Sequence, residues 1–230
     1  MSAAFTSCLR RTLSALRRDS SGLAMIEFAF AAPILLTLGL GGMEMANMAA
    51  THMRISQVAM QLADNASRIG DRNVLAAERV FESDINDLLI GADIQVGSGL
   101  DLYENGRIII SSLERNDDGG QWIHWQRCMG KLREVSSYGP AGTGRTGTGF
   151  AGMGIDGNEL TASEDGAVMH VEVVYTYSPV IGTMFAEQFI DDLEIRSEAA
   201  FTVRGTRDLS QVFQEAGVSA ASCSRYEALA

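Results

Sequence analysis

At 230 residues the chain has room for one membrane helix and one modest domain, and its formal charge of −11 makes it acidic. The first 22 residues hold Arg10, Arg11, Arg17 and Arg18 against Asp19, a balance of +3, so the remainder carries −14. With Lys131 as its single lysine, the chain lacks the clustered cations that phosphate backbones require, which argues against nucleic acid as a partner.

Residues 1–22 read as a basic leader without a core pattern, and residues 23–43 read as a transmembrane helix. From Leu23 to Gly42 every side chain is apolar or small except Thr37 and Glu27. At about 1.5 Å per residue, such a helix covers the roughly 30 Å hydrocarbon layer of a bilayer. Basic residues before the span and an acidic bulk after it put the N-terminus in the cytoplasm and the C-terminal domain in the periplasm. The competing reading is a secretory signal peptide centred on Ile34 to Leu40, with cut sites near Ala46 or Ala49. Against it, the apolar stretch is longer than a usual signal centre and runs on into further helix.

A carboxylate within an apolar span costs about 2 to 3 kcal/mol, so Glu27 calls for a partner. It lies five residues after Gly22, behind a basic leader, an arrangement that resembles the type IV prepilin signal. The resemblance implies that a prepilin peptidase cuts after Gly22, giving Leu23 a new α-amine, and that Glu27 pairs with such an amine on a neighbouring subunit. Leu23 departs from the Phe that many type IV pilins carry there. Glu27-Phe28-Ala29, then Pro33, then Gly41-Gly42-Met43-Glu44 is similar to the N-terminal signature of the TadE-like proteins of tight-adherence (Flp-type) pili. Trp125 to Cys128, Tyr175 to Pro179 and Ala200 to Arg204 resemble motifs of that family's C-terminal domain. The resemblance implies a minor pilin or pseudopilin of the bacterial inner membrane or a surface filament. Its implied partners are other pilin-like subunits, contacted through N-terminal helices, and an inner-membrane assembly platform.

Beyond the span, residues 44–70 continue as an amphipathic helix with a seam of Met48, His52, Ile55, Ala59, Leu62, Ala66 and Ile69. Pro33 or Gly39 to Gly42 are the places for a bend. Residues 71–230 read as an exported α+β domain. A second helix is expected from about Asn73 to Ile90, then a loop or short strand around Asp93, Gly97 and Gly99. A hairpin follows, with arms Arg107 to Glu114 and Gln121 to Cys128 about the turn at Asn116 to Gly120. Strict alternation puts Trp122, His124, Gln126 and Cys128 on one face, and Ile123, Trp125 and Arg127 on the other. Ala167 to Tyr177 and Leu193 to Arg204 are two further strands, expected to pair antiparallel. Leu209 to Ala230 reads as a polar, partly helical tail. The fold class is α+β, a long N-terminal helix packed on a small antiparallel sheet, which the resemblance makes pilin-like.

Residues 138–158 repeat G-x-G-x-x-G three times. Dinucleotide binding would need a preceding strand and a following helix, whose context is missing, so the stretch reads as a flexible surface loop. Cys128 and Cys223 both lie in the exported part, where an oxidising compartment favours a disulfide between them, while Cys8 sits in the leader.

The candidates for chemistry come to little. His52, His124 and His170 fall in three elements without triad or metal-ligand spacing. Asp117 with Asp118, the run Asp156 to Glu159, and Asp191 with Asp192 are loop charges at turn positions and lack EF-hand spacing. No catalytic residue, metal or cofactor is expected. The alternative is a membrane-tethered periplasmic ligand-binding or enzymatic domain with an uncleaved anchor, its site formed only by the fold.

Overall fold

The computed structural model describes residues 14–15, 21–70, 77–97, 99–180 and 193–226. Most of the leader, including Cys8, and the segment 181–192 with Asp191 and Asp192 lie outside these residues. The chain divides into two units, Met1–Asn47 and Met48–Ala230.

Helix α1 spans Ser21–Ala66, so it stops short of the expected residue 70. Pro33 sits inside it and withholds one backbone donor. The Thr37 hydroxyl donates to the Pro33 carbonyl at 2.8 Å and contacts the Ile34 carbonyl at 3.0 Å. In the first unit the helix keeps its apolar side chains on the outside, Leu23 at 59%, Phe28 at 69% and Leu35 at 68% exposure. This part of the helix is long and apolar enough to cross a membrane.

In the second unit α1 turns amphipathic. Ile55, Val58, Ala59, Leu62, Ala63 and Ala66 are buried, a 3.6-residue stripe that meets the domain core. His52 departs from the expected seam: it is exposed, and Thr51 takes the buried place.

The next helix, α2, spans Glu82–Val96; of the expected Asn73 to Ile90, residues 73–76 lie outside the described residues and 77–81 are not helical. Residues 78 and 81 are instead extended, forming isolated parallel bridges with Arg207 and Phe213. Asp84 explains the start: its carboxylate accepts from the Phe81 N–H at 2.9 Å, filling an orphan donor at the helix entrance. A single turn, α3 (Leu102–Asn105), leads into the sheet.

Strands β1 (Gly106–Arg115), β2 (Gln121–Met129), β5 (Val168–Tyr177) and β6 (Leu193–Thr202) form an antiparallel sheet in the order β2-β1-β5-β6. The pieces β3 (Met153–Ile155) and β4 (Asn158–Leu160) make a separate small hairpin. Ile108, Ile110, Met169, Val171 and Val173 face α1 and α2 across the core.

Alternation in β2 fails at one place. Ser112 pairs with Trp125 but Leu113 pairs with Ile123, so His124 is an extra residue in a bulge. Ile123 therefore shares a face with Gln126 and Cys128, while Trp122 is turned to Glu114, correcting the expected assignment of faces.

Candidate functional site

Gly22, Leu23 and Glu27 stand on the exposed start of α1. A Cβ added at Gly22, Gly39, Gly41 or Gly42 would meet nothing within 4 Å, so no contact in the structure requires glycine at these places.

The sheet face turned away from α1 carries the charges that the strand pattern hid. Glu172 is fully buried, with Oε1 accepting from the Ser137 N–H at 2.9 Å and from Arg196 Nη1 at 3.2 Å. Arg196 Nη2 also reaches Glu134 at 3.0 Å. Tyr138 donates to Glu198 at 2.6 Å, and its ring meets His170 edge-on with centroids 5.1 Å apart. The His170 hydrogen bond, then Tyr138, hold the Glu198 carboxyl below its ordinary range against the opposing effect of burial. Burial first, and the Glu198 contact second, push the Tyr138 phenol well up. These contacts fix the root of the glycine-rich stretch to the sheet.

That stretch is pinned rather than free. The Ile123 N–H donates to the Thr143 carbonyl at 2.9 Å, and the Gly142 N–H to the Ile123 carbonyl at 2.7 Å, which closes part of β2's outer edge. Asn116 Nδ2 donates to the Gly144 and Gly147 carbonyls at 2.7 and 2.8 Å. With β3 inside it, β4 starting at its last residue and no helix after it among the described residues, a phosphate cradle has no support.

Cys128 and Cys223 are joined. Beside the bond Arg107, 1% exposed, donates to the carbonyls of Gly130 at 2.6 Å, Cys223 at 2.7 Å and Arg225 at 2.9 Å. Its guanidinium lies 4.3 Å from the centroid of the Tyr226 ring. The tail, expected to be partly helical, is irregular across its described residues, with turns at 216–217 and 223–224 and no helix.

The histidines do not converge. His124 Nδ1 meets Glu114 at 2.8 Å, His170 Nε2 lies 3.5 Å from Glu198, and His52 lines a separate cleft with Leu193 and Arg196. Among the described residues no three His, Cys, Asp or Glu side chains are grouped to hold a metal ion. Arg107, Glu172 and Arg207 went unread in sequence; a charge inside an apolar β-run, as in Arg107-Ile-Ile-Ile and Val-Glu172-Val-Val, is the signal that marks the first two, while Arg207 stands in a polar turn sequence that carries none.

One helix long and apolar enough to cross a membrane, followed by an α+β domain with a small antiparallel sheet, defines the class. Residues 22–64, the stretch bearing Gly22, Glu27 and most of α1, match the family model of the TadE-like proteins. No curated protein and no solved structure matches the chain.

Proposed function

We propose that the chain is a minor pilin or pseudopilin of a tight-adherence pilus, working through α1. The observation that carries this reading is the coincidence of three features on one helix: the TadE-like match, the uncovered apolar surface and a single carboxylate five residues past Gly22. A prepilin peptidase cuts after Gly22 and leaves an α-amine on Leu23. The helix waits in the inner membrane, leader side in the cytoplasm and domain in the periplasm, until it packs beside other pilin-like helices on the assembly platform. There Glu27 sets register by pairing with a neighbour's α-amine, an attraction that a low dielectric strengthens and that also offsets the cost of burying the carboxylate. The test is Glu27→Ala in the intact system. The variant inserts in the membrane at normal level but the cells lose most of their pili; unchanged piliation counts against the role.

A further inference from the structure

After β6 the chain turns at Arg204 and Gly205 and is fixed at Arg207, whose Nη2 donates to the Ile69 carbonyl. From residue 208 to 226 it then crosses the domain as a strap. Phe213 exchanges backbone hydrogen bonds with Val80 at 2.8 Å and Glu82 at 3.0 Å, and its ring sits 5.8 Å from that of Phe81. The Ser219 carbonyl accepts from Asn86 Nδ2 at 2.9 Å. The Ala221 carbonyl accepts from the Cys128 N–H at 2.8 Å, so the strap closes the part of β2's outer edge that the glycine-rich stretch leaves open.

Little apolar burial holds this segment. Of residues 208–226 only Ala221 is buried. Ordering each of those residues costs about 1 to 2 kcal/mol of backbone entropy, which one alanine and a few half-buried side chains do not offset. By contrast β1 and β5 are buried nearly end to end. Two devices hold the far end of the strap: the Cys128–Cys223 bond and the Arg107 fork, which grips carbonyls on both sides of it.

We propose that closure of this strap over β2 is conditional on the disulfide, so that reduction lifts residues 208–226 while the four-stranded sheet stays folded. Cys223 is the half of the bond more open to solvent, Cys128 being 4% exposed. A dithiol reductant attacks Cys223 Sγ as a thiolate, forming a mixed disulfide and releasing the Cys128 thiolate. Its second thiolate then attacks the reductant sulfur of that mixed disulfide, freeing the Cys223 thiolate and leaving the reductant as a cyclic disulfide. The two cysteine thiolates take up two protons. Arg107 remains to guide Cys223 back beside Cys128 when an oxidant returns, which makes the device reversible. Opening bares the β2 edge at Cys128 and the apolar surface around Phe81. This inference stands independently of the pilus reading.

The test is backbone hydrogen exchange on the full chain in detergent micelles, before and after dithiothreitol, with thiol titration confirming two new thiols. Protection of the Cys128 and Phe213 amides falls by about 100-fold, the factor that closing the strap of roughly 15 residues between Arg207 and Cys223 supplies in the chain-entropy account while the sheet stays folded. The amides of Ile110 and Val171 keep their protection. Cys223→Ser shows the same pattern without reductant. If Cys128 and Phe213 stay protected in both the reduced protein and the variant, the proposal is overturned. It is equally overturned if Ile110 and Val171 lose protection alongside them, because the bond would then staple the whole domain.

Discussion

Arg207 donates from Nη2 to the carbonyl of Ile69 at 2.6 Å, just past the last turn of α1, and also reaches the Ala66 carbonyl at 3.2 Å. A helix ends with unsatisfied carbonyls and a partial negative charge, and a buried cation answers both. Burial lowers the pKa of this guanidinium, with Glu78 and Glu114 acting in the opposite direction. The contact ties α1 to the root of the tail across nearly the length of the domain's sequence. Arg207→Ala is therefore expected to lower domain stability by about 1.5 to 3 kcal/mol, the range for hydrogen bonds to a charged group, as read by urea unfolding of the full chain in detergent.

The pair Tyr138 and Glu198 makes stability fall at both ends of the pH scale. Glu198 has a depressed pKa in the folded state, so its contribution is complete above the ordinary value near 4.5 and is lost as pH falls through the lower folded value. Tyr138 has a raised pKa, so its contribution is present below the ordinary value of 10.0 and is lost as pH rises above it. Unfolding followed from pH 2 to 11 checks both limbs. Glu198→Gln flattens the acid limb, and Tyr138→Phe flattens the alkaline one. Both leave the neutral region nearly level.

Gly130 marks the point where the chain leaves β2, at φ +112°. A Cβ there would lie 2.2 Å from the Gly106 carbonyl oxygen and 3.2 Å from the Arg107 Cα, both backbone atoms that cannot swing aside. Strain of about 1 to 2 kcal/mol adds to overpacking of about 1 to 3 kcal/mol, so Gly130→Ala is expected to cost about 3 kcal/mol or more. Gly157→Ala, at φ +83° but facing open space, incurs the strain alone. Thermal unfolding of the two variants side by side reads the difference.

The elements that sequence revealed best are those whose cause is local. The apolar run from Leu23 to Gly42, the Asn116 to Gly120 turn with its two β-rich arms, and the alternating strands β5 and β6 all carry their own periodicity, and each formed where expected. What stayed hidden depends on distant partners. His124 bulges because Glu114 and Trp122 hold its ring, a contact that alternation within β2 does not encode. The glycine-rich stretch has the composition of a linker, yet Asn116 and Ile123 fasten it. Arg107 and Glu172 are buried charges whose partners, the tail carbonyls and Arg196, come from far along the chain. At the candidate site the spacing of Gly22 and Glu27 was legible without structure, since it depends only on position along one helix.

The mature N-terminus, read by mass spectrometry of the membrane-fraction protein, tests the central claim that α1 begins as a processed pilin-like helix. The account predicts a chain starting at Leu23 with the carboxylate of Glu27 intact four residues further on. A chain beginning near residue 50 and recovered from the culture fluid would contradict it.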